Sequence, residues 1–273
     1  MKLSPRTIPV PILAAAAALL PGSAGATRSD WTDAGNAQLR LLALPAEGGT
    51  IQAGVEITLP AGWHTYWRNP GDAGIPPQFD FSASGNVRAV DVRYPVPERF
   101  DDGTSVSAVY TDDVVFPVAL TPTDAGSPVT LRVDASFGVC NEVCIPARAQ
   151  AELTIPAADD EDALTKTMLA QASRRLPGPP LPGHLEVSGV AQDGSDALAI
   201  EVRMPDVSYS DLFVEGPQGW PLGQPKLVSR AGGSSRYRLS LAGRPTGEAV
   251  SGQTFRFVAV ADSEAIEQIV RVP

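Results

Sequence analysis

A two-residue rhythm constrains this chain more than any other feature. Short runs alternate apolar and polar side chains, and Gly, Pro or Asp turns separate them. Gln38–Leu44, Thr50–Leu59, Val114–Leu120, Val129–Phe137 and Ala149–Ile155 all behave this way, with Glu47-Gly48-Gly49 as one of the turns. A strand sends successive side chains to opposite faces, so this period predicts half-buried strands of an antiparallel sandwich. The rhythm predicts an immunoglobulin-like β domain over 27–157. The 25 Gly and 26 Pro supply turns, and together they stay below the roughly 25–30% that marks a disordered chain.

Asp159 to Leu176 breaks the rhythm. Asp159-Asp160-Glu161-Asp162 places acid at a helix start, and Leu164, Met168, Leu169 and Ala172 recur at helical spacing. Arg174-Arg175 then close the segment, as the helix dipole favours. Pro177-Gly178-Pro179-Pro180-Leu181-Pro182-Gly183 reads as a stiff linker. Strands return at Leu198–Arg203, Leu212–Glu215, Ser235–Leu241, Phe255–Val260 and Ala265–Val270. The expected fold is therefore all-β: two immunoglobulin-like β-sandwich domains, 27–157 and 184–273, joined over 158–183 by one helix and a Pro-rich linker.

The first 26 residues set the expected compartment. Lys2 and Arg6 precede the apolar run Val10–Leu20, and Pro21–Ala26 ends in small residues. This is the pattern of a secretory signal peptide, and the run is shorter than the about 20 residues of a membrane span. A periplasmic protein, not membrane-embedded after cleavage, is expected, in a compartment where disulfides persist. The formal charge of −10 argues against nucleic acid as a partner, because phosphate binding needs a basic face. Two Cys and two His in the whole sequence leave a structural zinc site without ligands unless distant carboxylates join. No metal and no cofactor are expected, other than a redox-active disulfide.

One constellation has chemical character: Phe137-Gly138-Val139-Cys140-Asn141-Glu142-Val143-Cys144-Ile145-Pro146. The cysteines flank a short loop between two strands, which brings their sulfurs to one hairpin end. Two readings stand at this point. As a staple the pair is poorly placed: so short a loop contributes about 2 kcal/mol, against about 4.7 for a loop of some 100 residues. As a redox pair, closeness is an advantage, because the second thiol must reach a mixed disulfide made by the first. Glu142 between them disfavours thiolate, which suits a reductant tuned by its partner. Pro146 either interrupts the ladder where a partner backbone docks or simply marks a strand edge.

A second cluster lies upstream, Trp63-His64-Thr65-Tyr66-Trp67-Arg68-Asn69-Pro70-Gly71-Asp72. Alternation sends Trp63, Thr65 and Trp67 to one face and His64, Tyr66 and Arg68 to the other, one face in the core and one in solvent. His64 then reads as a hydrogen-bonded surface residue. Asn69–Asp72 is turn chemistry, from which Asp72 could project toward a site.

Taken with Tyr94-Pro95-Val96-Pro97-Glu98-Arg99-Phe100 and Phe116-Pro117-Val118, these motifs resemble the N-terminal periplasmic domain of the protein-disulfide reductase DsbD family. Among its members the ScsB group, associated with copper tolerance, is the most similar, and the helix and second β domain fit that group too. The resemblance implies an immunoglobulin-like domain whose dithiol takes electrons from a separate transmembrane thiol transporter and reduces periplasmic thioredoxin-fold proteins. It implies Cys144 as the attacking thiol and Cys140 as the resolving one. A protective loop is expected between Phe100 and Tyr110, where Asp101–Val109 contains no aromatic residue; shielding then falls to Phe100 or Tyr110. Glu142, Asp72, Pro146, Phe100, Tyr110 and Trp67 are the supporting candidates. Because the sequence stops at Pro273 without membrane segments, the electron source is expected on another chain. Two other functions are compatible with the residues: a β adaptor or chaperone with a structural disulfide, and a copper-handling protein using the two thiolates.

Overall fold

The computed structural model describes residues 27–45, 49–157 and 162–273. The expected signal peptide, the turn residues Glu47-Gly48 and the acidic stretch Asp159–Glu161 lie outside them. The described residues are all-β apart from one helix. In the N-terminal half a five-stranded sheet runs Thr32–Asp33, Gln38–Ala43, Ile51–Thr58, Val114–Pro122 and Val87–Val92 in spatial order. Facing it is a long hairpin, Val129–Cys140 with Cys144–Ile155, joined by Gln78–Asp80. Alternation sends Leu39, Leu41, Val55, Ile57 and Phe116 from one sheet and Leu131, Val133, Phe137 and Leu153 from the other into a single buried cluster. Each such side chain contributes about 1.5–3 kcal/mol on burial, so the period-two pattern is enforced by the core.

A small third sheet, Thr65–Gly71, Val106–Tyr110 and Glu98–Asp101, stands at the cysteine end of the hairpin. It is tied there by an antiparallel bridge between His64 and Cys140. The C-terminal half has a four-stranded sheet of Glu186–Gln192, Ala197–Arg203, Ser234–Ser240 and Lys226–Ala231. Its second sheet is Ser210–Glu215, Thr254–Ala261 and Glu264–Arg271. These enclose a second cluster that includes Ile200, Leu239, Phe255 and Phe257. The halves are packed together, since Phe213, Val258 and Val260 belong to the N-terminal cluster.

The helix spans Ala163–Arg174 and lies on the N-terminal half, where Leu169 meets Leu42 and Leu44, with Met168 and Val115 beside them. Gly54 makes room for it, for a Cβ there would stand 2.9 Å from Leu169 Cδ2. Leu164, expected in the apolar stripe, is half exposed; Thr165 is buried in its stead. Thr165 is buried because Asp162, the N-cap, accepts from both its N–H (3.0 Å) and its hydroxyl (2.6 Å). The Pro177–Gly183 segment, expected as a linker, is bound rather than free. The Gly178 N–H donates to Ala265 and its carbonyl accepts from Glu267 N–H, at 2.9 and 2.8 Å.

The cap gives a pH test. Hydrogen bonds from the Thr165 side chain and backbone hold the Asp162 carboxyl at about 2, below the roughly 3.9 of an unfolded Asp. A depressed folded value stabilises in full above the unfolded value and ceases to do so as pH falls through the folded one. The expected result is a gap in thermal midpoint between the parent and Asp162→Asn at pH 5 that narrows steadily toward pH 2. A gap independent of pH would remove the cap from this role.

Candidate functional site

The long hairpin ends in register at Cys140 opposite Cys144, and the two form a disulfide. Their Cα atoms are 4.1 Å apart, just under the usual 4.4–6.8 Å or so. The backbone explains the closeness. Cys140 turns both its N–H and its carbonyl toward His64, at 2.9 and 2.8 Å, so Cys140 and Cys144 are a non-hydrogen-bonded pair, the narrow kind at about 4.5 Å. The same geometry settles Pro146. It stands opposite Gly138, whose N–H donates to Ile75 (3.0 Å) and whose carbonyl accepts from the Thr65 hydroxyl (2.8 Å). The missing N–H of Pro146 therefore costs the hairpin no bond. It lies on an outer strand, where the missing N–H faces the open edge.

The two cysteines differ in exposure. Cys140 is buried at 1% exposure, in a small cluster with Tyr66 and Val109, whereas Cys144 is exposed. Asn141, Glu142 and Val143 form the solvent-facing tip. Val143, Ile145 and Phe100 add exposed apolar surface there.

Tyr66 is the group that sequence reasoning missed. Its hydroxyl stands 3.0 Å from Cys140 Sγ and 2.9 Å from Cys144 Sγ. A disulfide carries no S–H, so the phenol is the donor. Burial, reinforced by the Asp102 carboxylate, pushes the Tyr66 phenol above its ordinary range, which keeps it protonated at neutral pH. Two glycines shape its seat. A Cβ on Gly74 would lie 2.3 Å from the Tyr66 ring, and one on Gly138 3.1 Å from it. The expectation of one buried and one solvent face for this strand is corrected: His64, Thr65, Tyr66 and Trp67 are all buried, because the cysteine hairpin covers one side and the core the other.

His64 is likewise no surface residue. Its ring packs 5.3 Å from Tyr66 and 4.8 Å from Phe100, centroid to centroid. Burial pulls its pKa down, against the opposing pull of Asp102. Asp102 sits in a tight turn after Phe100. Its carboxylate accepts from the hydroxyl and N–H of Thr104 and from both donors of Ser105, and these bonds hold it well below the usual carboxylate range.

The other candidates divide. Phe100, against His64, borders the site. Tyr110 does not, for it is buried with its hydroxyl donating to Pro95 at 2.8 Å and its ring edge-on to Phe116. Strand pairing at Thr65–Tyr110 turns it inward. Trp67 is fully buried beside Phe213 and belongs to the seam between the halves. Asp72 does not reach toward the sulfurs; its carboxylate accepts from Val106 N–H at 3.1 Å and lies against Gly223. Glu142 is exposed at the tip. Among the described residues no group of three or more His, Cys, Asp or Glu is arranged to hold a metal.

An exposed cysteine joined to a buried one, with a single phenol on both sulfurs at the end of an immunoglobulin-like hairpin, fits the class of thiol–disulfide exchange domains. Residues 33–156 match the family described as Thiol:disulfide interchange protein DsbD, N-terminal. Among solved structures the chain is similar to the N-terminal periplasmic domain of ScsB from Proteus mirabilis. The two share 22% identity over 90% of this chain and 98% of that one, with a TM-score of 0.73. No curated protein matches the chain.

Proposed function

We propose that this protein is a periplasmic protein-disulfide reductase, taking electrons from a transmembrane thiol transporter and passing them to thioredoxin-fold proteins. The observation that carries the reading is the asymmetry of the pair: Cys144 is open to solvent, and Cys140 is buried beneath Tyr66. In the reduced protein the Cys144 thiolate attacks a partner disulfide, forming a mixed disulfide and releasing one partner thiolate. The Cys140 thiolate then attacks Cys144 Sγ, closing the Cys140–Cys144 bond and releasing the second. Two electrons move to the partner, and the protein's own disulfide is the only redox group required. A hydrogen bond from Tyr66 to whichever sulfur carries negative charge favours that thiolate. Among the described residues no helix is long and apolar enough to cross a membrane, which suits a domain that meets its transporter from the aqueous side.

Equilibration across a glutathione series tests this. The expected reduction potential lies above about −300 mV, within reach of exchange partners; a value well below that is the mark of a staple and would overturn the reading.

A further inference from the structure

The strands that build the dithiol site are gripped by the C-terminal half. Along Glu98–Asp101, Phe100 turns toward His64 and its neighbour Arg99 turns the other way, to Asp211. The Arg99 Nη2 lies 2.6 Å from Asp211 Oδ1, and Nε lies 3.1 and 2.9 Å from the two oxygens. The same Nη2 reaches the carbonyls of Leu212 and Pro225, at 3.2 and 3.1 Å. Asp211 is 4% exposed and also accepts from Leu212 N–H and the Tyr209 hydroxyl. A planar guanidinium held by a buried carboxylate and two carbonyls has one geometry, and removing either partner leaves the other's polar groups unmet.

This contact leads back to the cysteines through pairing. Glu98 pairs with Val109, Val109 pairs with Tyr66, and Val109 and Tyr66 together cover Cys140. The Tyr66 strand is held from the same side. Asn69 Nδ2 donates to the Val214 carbonyl at 2.7 Å, and Gln224 Nε2 to the Asn69 carbonyl at 3.0 Å.

We propose that the C-terminal half is a positioning element for the dithiol and that Arg99 is its positioning residue. Seated on Asp211, Arg99 keeps the Glu98–Asp101 strand in place, and with it Val109 and Tyr66 closed over Cys140. Its importance for electron transfer rests on Cys140 being the resolving thiol, but the closure itself can be measured without any partner.

In a Cys144→Ala background Cys140 is a lone thiol, and its alkylation by iodoacetamide reports opening of the cover. Arg99→Ala and Asp211→Asn are expected to raise that rate at least tenfold. Arg99→Lys, which keeps the charge and loses the fork, should fall between them and the parent. Val250→Ala, a core truncation in the C-terminal half away from the contact, should leave the rate unchanged. Folded Arg99→Ala and Asp211→Asn proteins that alkylate at the parent rate overturn the proposal, as does equal acceleration by Val250→Ala. Should Arg99→Ala fail to fold, Arg99→Lys and Asp211→Asn decide it. A staple-like potential in the glutathione series would count against disulfide exchange and leave this result standing.

Discussion

Cys140→Ala is expected to accumulate a covalent adduct with a thioredoxin-fold disulfide partner, and Cys144→Ala to form none. The expectation follows from access. In the proposed mechanism Cys144, the exposed residue of the pair, makes the first bond; Cys140, buried at 1%, attacks the neighbour it faces in register. Without Cys140 the mixed disulfide has no internal nucleophile and persists, and without Cys144 it does not start. Acid-quenched samples on non-reducing gels read the outcome directly. Equal trapping by both variants would show that burial does not assign the roles, and absence of trapping by either would favour a structural bridge.

Gly74→Ala is expected to damage the site and the fold together. Gly74 has φ 127°, a conformation L side chains rarely adopt, and its added Cβ would enter the Tyr66 ring at 2.3 Å. Backbone strain and overpacking together put the cost at about 2–4 kcal/mol, visible as a lower urea midpoint. The displaced ring also takes its hydroxyl from the sulfurs, so the reduction potential should move. Tyr66→Phe separates the two effects. It keeps the ring in its seat and loses a hydrogen bond worth about 1 kcal/mol, so the midpoint should fall less than in Gly74→Ala while the potential moves as it does there. An unchanged potential in Tyr66→Phe would show that the phenol is packing alone.

The site was legible in part. The Cys pair and its hairpin could be read because the two residues and both strands are contiguous, and the period-two runs on either side place them at one end. Phe100 was found through its motif. Tyr66 and His64 were assigned to a solvent face, because alternation distinguishes two faces of a strand but does not say that both are covered. Gly74, whose absent side chain makes the Tyr66 seat, looks in sequence like any loop glycine. Arg99 stands within the Tyr94–Phe100 motif, and nothing local ties it to Asp211.

Local order, then, was in the sequence itself. Strands follow from alternation, the helix from its spacing of apolar residues, and the disulfide from two cysteines separated by one tight turn. Each depends on neighbours along the chain, and the physics of a pleated strand or a helical turn acts over that range. The placement of Tyr66 on sulfurs 74 and 78 residues away was decided by tertiary structure alone, as was the hold of the C-terminal half on Arg99, 112 residues from Asp211. Those contacts exist because separate sheets pack against one another, and the position of one sheet relative to the next is set by the whole buried core.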